Sequence, residues 1–253
     1  MKTIQYLGLG LLLAGVPAGR ANIIYSGGVN DLISPVSDTV ELDNGATLNV
    51  HPGANITAGS QQWAYGLAIN NGTANIWDAS VTGGAAGQNW WADGIWLSRG
   101  TVNLYSGTVT GGSGNWASGM VIGGGTVNLY GGSVHGGTAF YAFGIDVEGG
   151  TLNVYGGNIQ GGNSVSFGLP LEVGSYSRVN IYGSGFNFGY GPINQTGGVL
   201  TGVLDDGSPL NMLFTQFSPG EIVLVPEPAS AGLVTLGLLA LLGRRSRKQK
   251  HCR

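Results

Sequence analysis

The sequence predicts an all-β fold, a right-handed parallel β-helix of about six coils, and three observations carry that expectation. Asn49, Asn75, Asn103, Asn128, Asn153 and Asn180 recur at spacings of 26, 28, 25, 25 and 27. Around each Asn stands the same phrase, clearest as Gly100-Thr101-Val102-Asn103-Leu104-Tyr105, Gly125-Thr126-Val127-Asn128-Leu129-Tyr130 and Gly150-Thr151-Leu152-Asn153-Val154-Tyr155. No helical periodicity competes between Asn22 and Val225, and the 49 glycines lack the period of three that would signal collagen.

Each coil is built from short strands. Side chains alternate along a strand, so Val102 and Leu104 share one face while Thr101, Asn103 and Tyr105 share the other. Six or seven residues after each Asn comes a large apolar residue: Ile56, Val81, Val109, Val134, Ile159, then Phe186. Five copies close with a further strand, seen in Leu67-Ala68-Ile69, Ile95-Trp96-Leu97, Met120-Val121-Ile122, Ile145-Asp146-Val147 and Leu171-Glu172-Val173. Its flanking positions are always apolar and so face inward. Its middle position accepts Ala, Trp, Val, Asp and Glu and is expected outside. Stacking such coils at ~4.8 Å would bury a continuous column of Val, Leu and Ile, with Gly at the sharp corners. A Greek-key sandwich is the competing architecture, but it does not explain a repeat that stays in phase.

Taken along the chain, residues 1–21 read as a secretory signal peptide. Lys2 supplies the positive start and Leu7 to Val16 the apolar run, with small-residue cleavage sites at Val16-Pro17-Ala18 or Gly19-Arg20-Ala21. Residues 22–43 are expected as an N-terminal cap, 44–202 as the repeats, and 203–225 as a C-terminal cap strand covering the last open edge. Residues 226–253 form a separate tail. Pro226, Glu227 and Pro228 hold the backbone extended; Ala229 to Gly243 carries no charge; five cations follow within seven residues, among them Arg244, Arg245, Arg247 and Lys248. Fifteen helical residues would span about 22 Å, a marginal transmembrane length.

Charge and cysteine narrow the function further. Between residues 22 and 225 only Arg99 and Arg178 are basic, against twelve Asp and Glu, which opposes binding to nucleic acid. The single Cys252 lies in the tail, so the body has neither disulfides nor thiolate metal sites.

The order Pro226-Glu227-Pro228, apolar run, Arg-rich end resembles the PEP-CTERM sorting signal of Gram-negative bacteria that make exopolysaccharide. That resemblance implies recognition by an exosortase, a membrane-embedded cysteine transpeptidase, with transient anchoring in the inner membrane and delivery to the cell surface or extracellular matrix. The repeat phrase resembles, less specifically, autotransporter passenger repeats and the coils of pectin-lyase-like β-helices.

Within the body, Asp146, Glu148 and Glu172 are the best acidic group, because Asp146 and Glu172 occupy equivalent positions of adjacent coils. They are expected as solvated outer-face acids. No pairing of nucleophile and base, no phosphate loop and no metal set is legible, so no enzyme and no cofactor are expected. Aromatic residues are the stronger lead. Trp77, Tyr105, Tyr130, Tyr155 and Tyr182 repeat in phase beside the Asn column. Trp63, Trp90, Trp91, Trp116 and Tyr141 fall in a loop of variable length without an evident period and are candidates for glycan contact. The sequence thus points to an exported, non-enzymatic surface or matrix protein with a structural or adhesive role in exopolysaccharide or biofilm. The alternatives are a glycan-binding module and, behind it, a polysaccharide lyase or hydrolase.

Overall fold

The computed structural model describes residues 4–6, 22–87 and 89–227. Most of the expected signal peptide, Pro228, the apolar run from Ala229 to Gly243, and Arg244, Arg245, Arg247 and Lys248 lie outside the described residues.

The repeat phrase builds the sheet that sets the register of the molecule. Strands Val29–Leu32, Ala46–Val50, Gly72–Ile76, Gly100–Leu104, Thr126–Leu129, Gly150–Val154, Ser177–Ser184 and Glu221–Pro226 pair in parallel, one coil on the next. The recurring Asn residues are direct partners across it. A second sheet stacks Asn55–Thr57, Ala79–Thr82, Gly107–Thr110, Ser133–His135 and Asn158–Gln160. A closing sheet runs from Ile4–Tyr6 and Ile23–Ser26 through Val40–Asp43, Leu67–Ile69, Ile95–Leu97, Met120–Ile122, Ile145–Val147 and Leu171–Val173. Together they form a right-handed-type β-solenoid of about five turns.

The core is the column that alternation predicts. Val102, Leu104, Val127, Leu129, Leu152 and Val154 are fully buried, and the second-sheet residues Ile56, Val81, Val109 and Val134 meet them from the other wall. Burying a branched or long aliphatic side chain is worth ~1.5–3 kcal/mol, so this one column dominates the stability of the rod.

Six Asn phrases give about five turns, not six, because the last phrase does not complete a coil. Its strand runs on to Ser184, and Gly185 then takes a φ of +63° that turns the chain away. Phe186, expected in the second sheet, instead lays its ring over Gly202, where a Cβ would come within 2.4 Å of it. The C-terminal cap is accordingly a hairpin rather than one strand: Gly197–Leu204 pairs antiparallel with Pro209–Gln216. Phe214–Gln216 continues the closing sheet on Leu171–Val173, and Glu221–Pro226 adds the last strand of the Asn sheet. At the other end, residues 22–43 pair in register as a short first coil, with Val36 bridging to Ile56.

Candidate functional site

The Asn column forms a continuous amide ladder. The Nδ2 of Asn75, Asn103, Asn128, Asn153 and Asn180 each donates to the Oδ1 of the preceding Asn, at 2.8–3.0 Å. All donors therefore point toward the N-terminus, and the ladder has two unlike ends. Asn49 donates to the Asp31 carboxylate at 3.1 Å, while the Arg178 Nε donates to the Asn180 Oδ1 at 2.9 Å. Hydrogen bonds from His51 and then Asn49 hold the Asp31 carboxyl below its usual range. The Asp31 anion at the ladder's donating end and the Arg178 cation at its accepting end complete an aligned row of dipoles, as charged residues do at helix ends.

Next to this ladder the predicted aromatic row stacks. His51 meets Trp77 at 5.9 Å; Trp77, Tyr105, Tyr130 and Tyr155 follow at 5.1 Å with planes within 11° of parallel; Tyr182 closes the row at 4.3 Å. Each ring from Trp77 to Tyr155 spends both faces on its neighbours and shows solvent an edge. Sugar rings pack on aromatic faces, so the interior of this row serves coil-to-coil cohesion.

The expected aromatic loop is a second ladder. Ser113–Trp116, Thr138–Tyr141 and Asn163–Phe167 form a parallel sheet, extended toward the N-terminus by bridges from Trp63 to Trp91 and from Trp91 to Trp116. Trp63 stacks on Trp91 at 5.0 Å, Trp116 on Tyr141 at 4.1 Å, and Tyr141 on Phe167 at 6.2 Å. Trp90 leans against Trp63 at 6.0 Å. All five candidate aromatic residues thus gather along one column. The signal that would have revealed it is a second phrase, aromatic-Ala-x-Gly, present as Trp63-Ala64-Tyr65-Gly66, Trp91-Ala92-Asp93-Gly94, Trp116-Ala117-Ser118-Gly119 and Tyr141-Ala142-Phe143-Gly144. Its alanines pack into a small core of their own. The Gly-Gly steps lie at the neck of this lobe: Gly137 and Gly162 donate to the carbonyls of Ala117 and Ala142 at 2.6 and 2.7 Å. At Gly111 a Cβ would stand 2.2 Å from the Ala117 oxygen, which excludes any side chain.

The position x of that phrase lies on the inner side of the lobe, and Tyr65, Asp93, Ser118 and Phe143 are all buried there. Opposite them is the middle row of the closing sheet, where Tyr65 stacks on Trp96 at 5.7 Å. The expectation of an exposed middle row is therefore corrected: Ala68, Val121 and Asp146 are buried. Asp146 and Glu172 are register partners as predicted, yet Asp146 is only 6% exposed. Burial, with Glu148, Glu172 and Asp93 adding to it, pushes the Asp146 carboxyl up to about 8. Asp93, missed in the sequence because it stands at a position filled elsewhere by Tyr, Ser and Phe, is fully buried and pushed up to about 7 by that burial. Its Oδ1 accepts the Ser118 amide N–H at 2.8 Å, whereas its Oδ2 and the Ser118 Oγ have no hydrogen-bond partner among the described residues. Burial also raises Glu148 and Glu172.

Burial thus disfavours the charged form of every acid in this cluster, Asp146 most of all. Among the described residues no group of His, Cys, Asp and Glu is arranged to hold a metal ion.

The chain matches no family model, no curated protein and no solved structure.

The tail motif is positioned by the fold up to its second residue. Pro226 ends the last strand opposite Gly183, and the Glu227 Oε1 accepts the Ser184 hydroxyl at 2.8 Å. Arg178 anchors the start of the same strand through Glu221 at 2.8 Å.

Proposed function

We propose that this chain is an exported, non-enzymatic rod with a structural or adhesive role in an exopolysaccharide matrix, sorted by an exosortase through Pro226-Glu227-Pro228. The observation that carries the reading is the join between rod and tail. The last strand of the solenoid ends at Pro226, so the folded body stops where the address begins and no linker intervenes. A rod held by amide and aromatic ladders is a spacer of fixed length, which suits a matrix component. Fractionation of cells with an active exosortase, using a tag inserted in the repeats, tests it. Tagged protein is expected at the surface or in the matrix without its tail, and full-length protein accumulating in the inner membrane would contradict the reading.

A second reading, glycan binding, is favoured by one feature. Trp63 and Phe167 are the outermost rungs of the aromatic column and are 48% and 54% exposed. Ring faces are free only at such ends, so Trp63 with Trp90 and Trp91 beside it is the platform a sugar would use. Replacing Trp63 with Ala is expected to lower retention on the producer's own polysaccharide about tenfold, the cost of one stacked ring. Unchanged retention in that protein and in Trp90→Ala and Trp91→Ala together would remove the reading.

A further inference from the structure

The capping hairpin buries one face and leaves the other open. Leu204, Leu210 and Met212 turn inward, where with Val154 and Ile159 they line a cavity of about 340 Å³ at the end of the core. The alternation that sends these residues inward sends Val199, Val203 and Leu213 outward, at 45%, 41% and 49% exposure. Val199 and Leu213 are direct partners across the hairpin, so their side chains share one patch. Tyr190, 55% exposed, stands beside the last strand, where Gly191 pairs with Leu224.

Chain connectivity specifies what this face meets. Val203 is opposite Ser184, and Ser184 is bonded to Glu227, so the patch adjoins the point where the chain leaves the rod. Between Glu227 and the apolar run that begins at Ala229 stands Pro228 alone. Two Cα steps span at most about 7 Å. A rod whose tail enters a bilayer at Ala229 must therefore hold its capped end against the headgroups.

We infer that the outer face of the capping hairpin is a membrane-docking surface, seating Val199, Val203 and Leu213 in the interfacial layer of the bilayer while the tail is inserted. The inference rests on the anchor reading of the tail. Aliphatic and tyrosine side chains suit that layer. The neighbouring Asp205, Asp206 and Glu227 oppose an anionic surface and favour a zwitterionic one. Docking sets the rod upright, with its N-terminal coils pointing away from the membrane. Once the tail is cut, the face loses its enforced proximity and the patch alone holds weakly.

The test uses the full chain reconstituted in phosphatidylcholine vesicles. Leu213→Cys and Val29→Cys proteins, each also carrying Cys252→Ser, take an environment-sensitive fluorophore, and doxyl-labelled phosphatidylcholine is the quencher. Val29 lies seven strand spacings away along the Asn sheet, roughly 34 Å. Circular dichroism confirms that both proteins are folded, and a label at Val199→Cys provides a second position on the same face. Quenching of the labels at 213 and 199 is expected to exceed that at 29 by at least about threefold, since only the docked end reaches the interfacial layer. Equal quenching at all three positions in vesicles that carry the protein on flotation would overturn docking and leave the anchor standing. Failure to float with the vesicles would overturn the anchor and docking together. A change in the label at 213 that follows protein concentration and not lipid would assign the face to a second copy of the chain and overturn docking.

Discussion

At the scale of single residues, burial sets the chemistry of the acids. Asp146 reads in the sequence as a surface carboxylate, because the same position holds Glu172 in the next coil and Trp96 two coils earlier. The structure covers it with the lobe, and a carboxyl without water favours its neutral form. The folded pKa of about 8 stands far above the ordinary value of 3.8, so the unfolded chain ionises first as pH rises. The stability contributed by neutral Asp146 is complete below about 4 and is lost as pH rises through about 8. Asp93 adds to the same slope, with its transition near 7. The urea midpoint is therefore expected to be higher at pH 5 than at pH 8. Asp146→Asn should flatten that difference and raise the midpoint at pH 8 by the equivalent of about 1–3 kcal/mol. An Asp146→Asn protein with the wild-type pH slope would show that Asp146 is solvated after all.

At the scale of elements, the parts legible in the sequence are those where the pattern is strict. The Asn phrase holds its alternation in every copy, since a one-residue slip would turn the whole core row outward. Its spacing alone places Val102, Val127 and Leu152 in one column. The aromatic sheet was hidden for a different reason. The stretch between the Gly-Gly step and the aromatic residue differs in length, from Gly84 to Trp91 in one coil and from Gly112 to Trp116 in the next, so no fixed period shows. Only the phrase beginning at Trp63 and Trp91 keeps register, because its Ala packs in the small core and its Gly faces backbone. The glycines at the neck carry the heaviest constraint. A Cβ on Gly112 would sit 1.8 Å from the Gly84 carbonyl oxygen, whereas one on Gly59 would meet nothing within 4 Å. Gly112→Ala is expected to lose about 3 kcal/mol in urea unfolding, and Gly59→Ala to change stability by less than about 0.5 kcal/mol. Equal effects of the two substitutions would contradict the close backbone approach at the neck.

At the scale of the whole molecule, the sequence conveys a repeat and two unlike ends, and the structure explains how the repeat stops. Six copies of the phrase suggest six coils, but a stack of parallel strands needs its last edge covered. The chain meets that need by diverting its sixth phrase at Gly185 and folding the Gly197–Leu204 and Pro209–Gln216 hairpin across the core. That diversion was not legible, because Phe186 is as apolar as the residues it replaces and differs only in its contact with Gly202. The strand after the hairpin then carries the chain to Pro226, so coils, cap and the Pro226-Glu227-Pro228 motif follow one another without slack. The central claim, an exported rod delivered by its tail, predicts two cuts that remove the Ile4–Tyr6 strand and leave the coils from Ile23 onward whole. The intact mass of the protein recovered from cells with an active exosortase measures both cuts at once. The mass should correspond to a chain that starts just after Ala18 or Ala21 and ends beside Pro226-Glu227-Pro228. A mass that still includes Ala229 to Arg253 would contradict it.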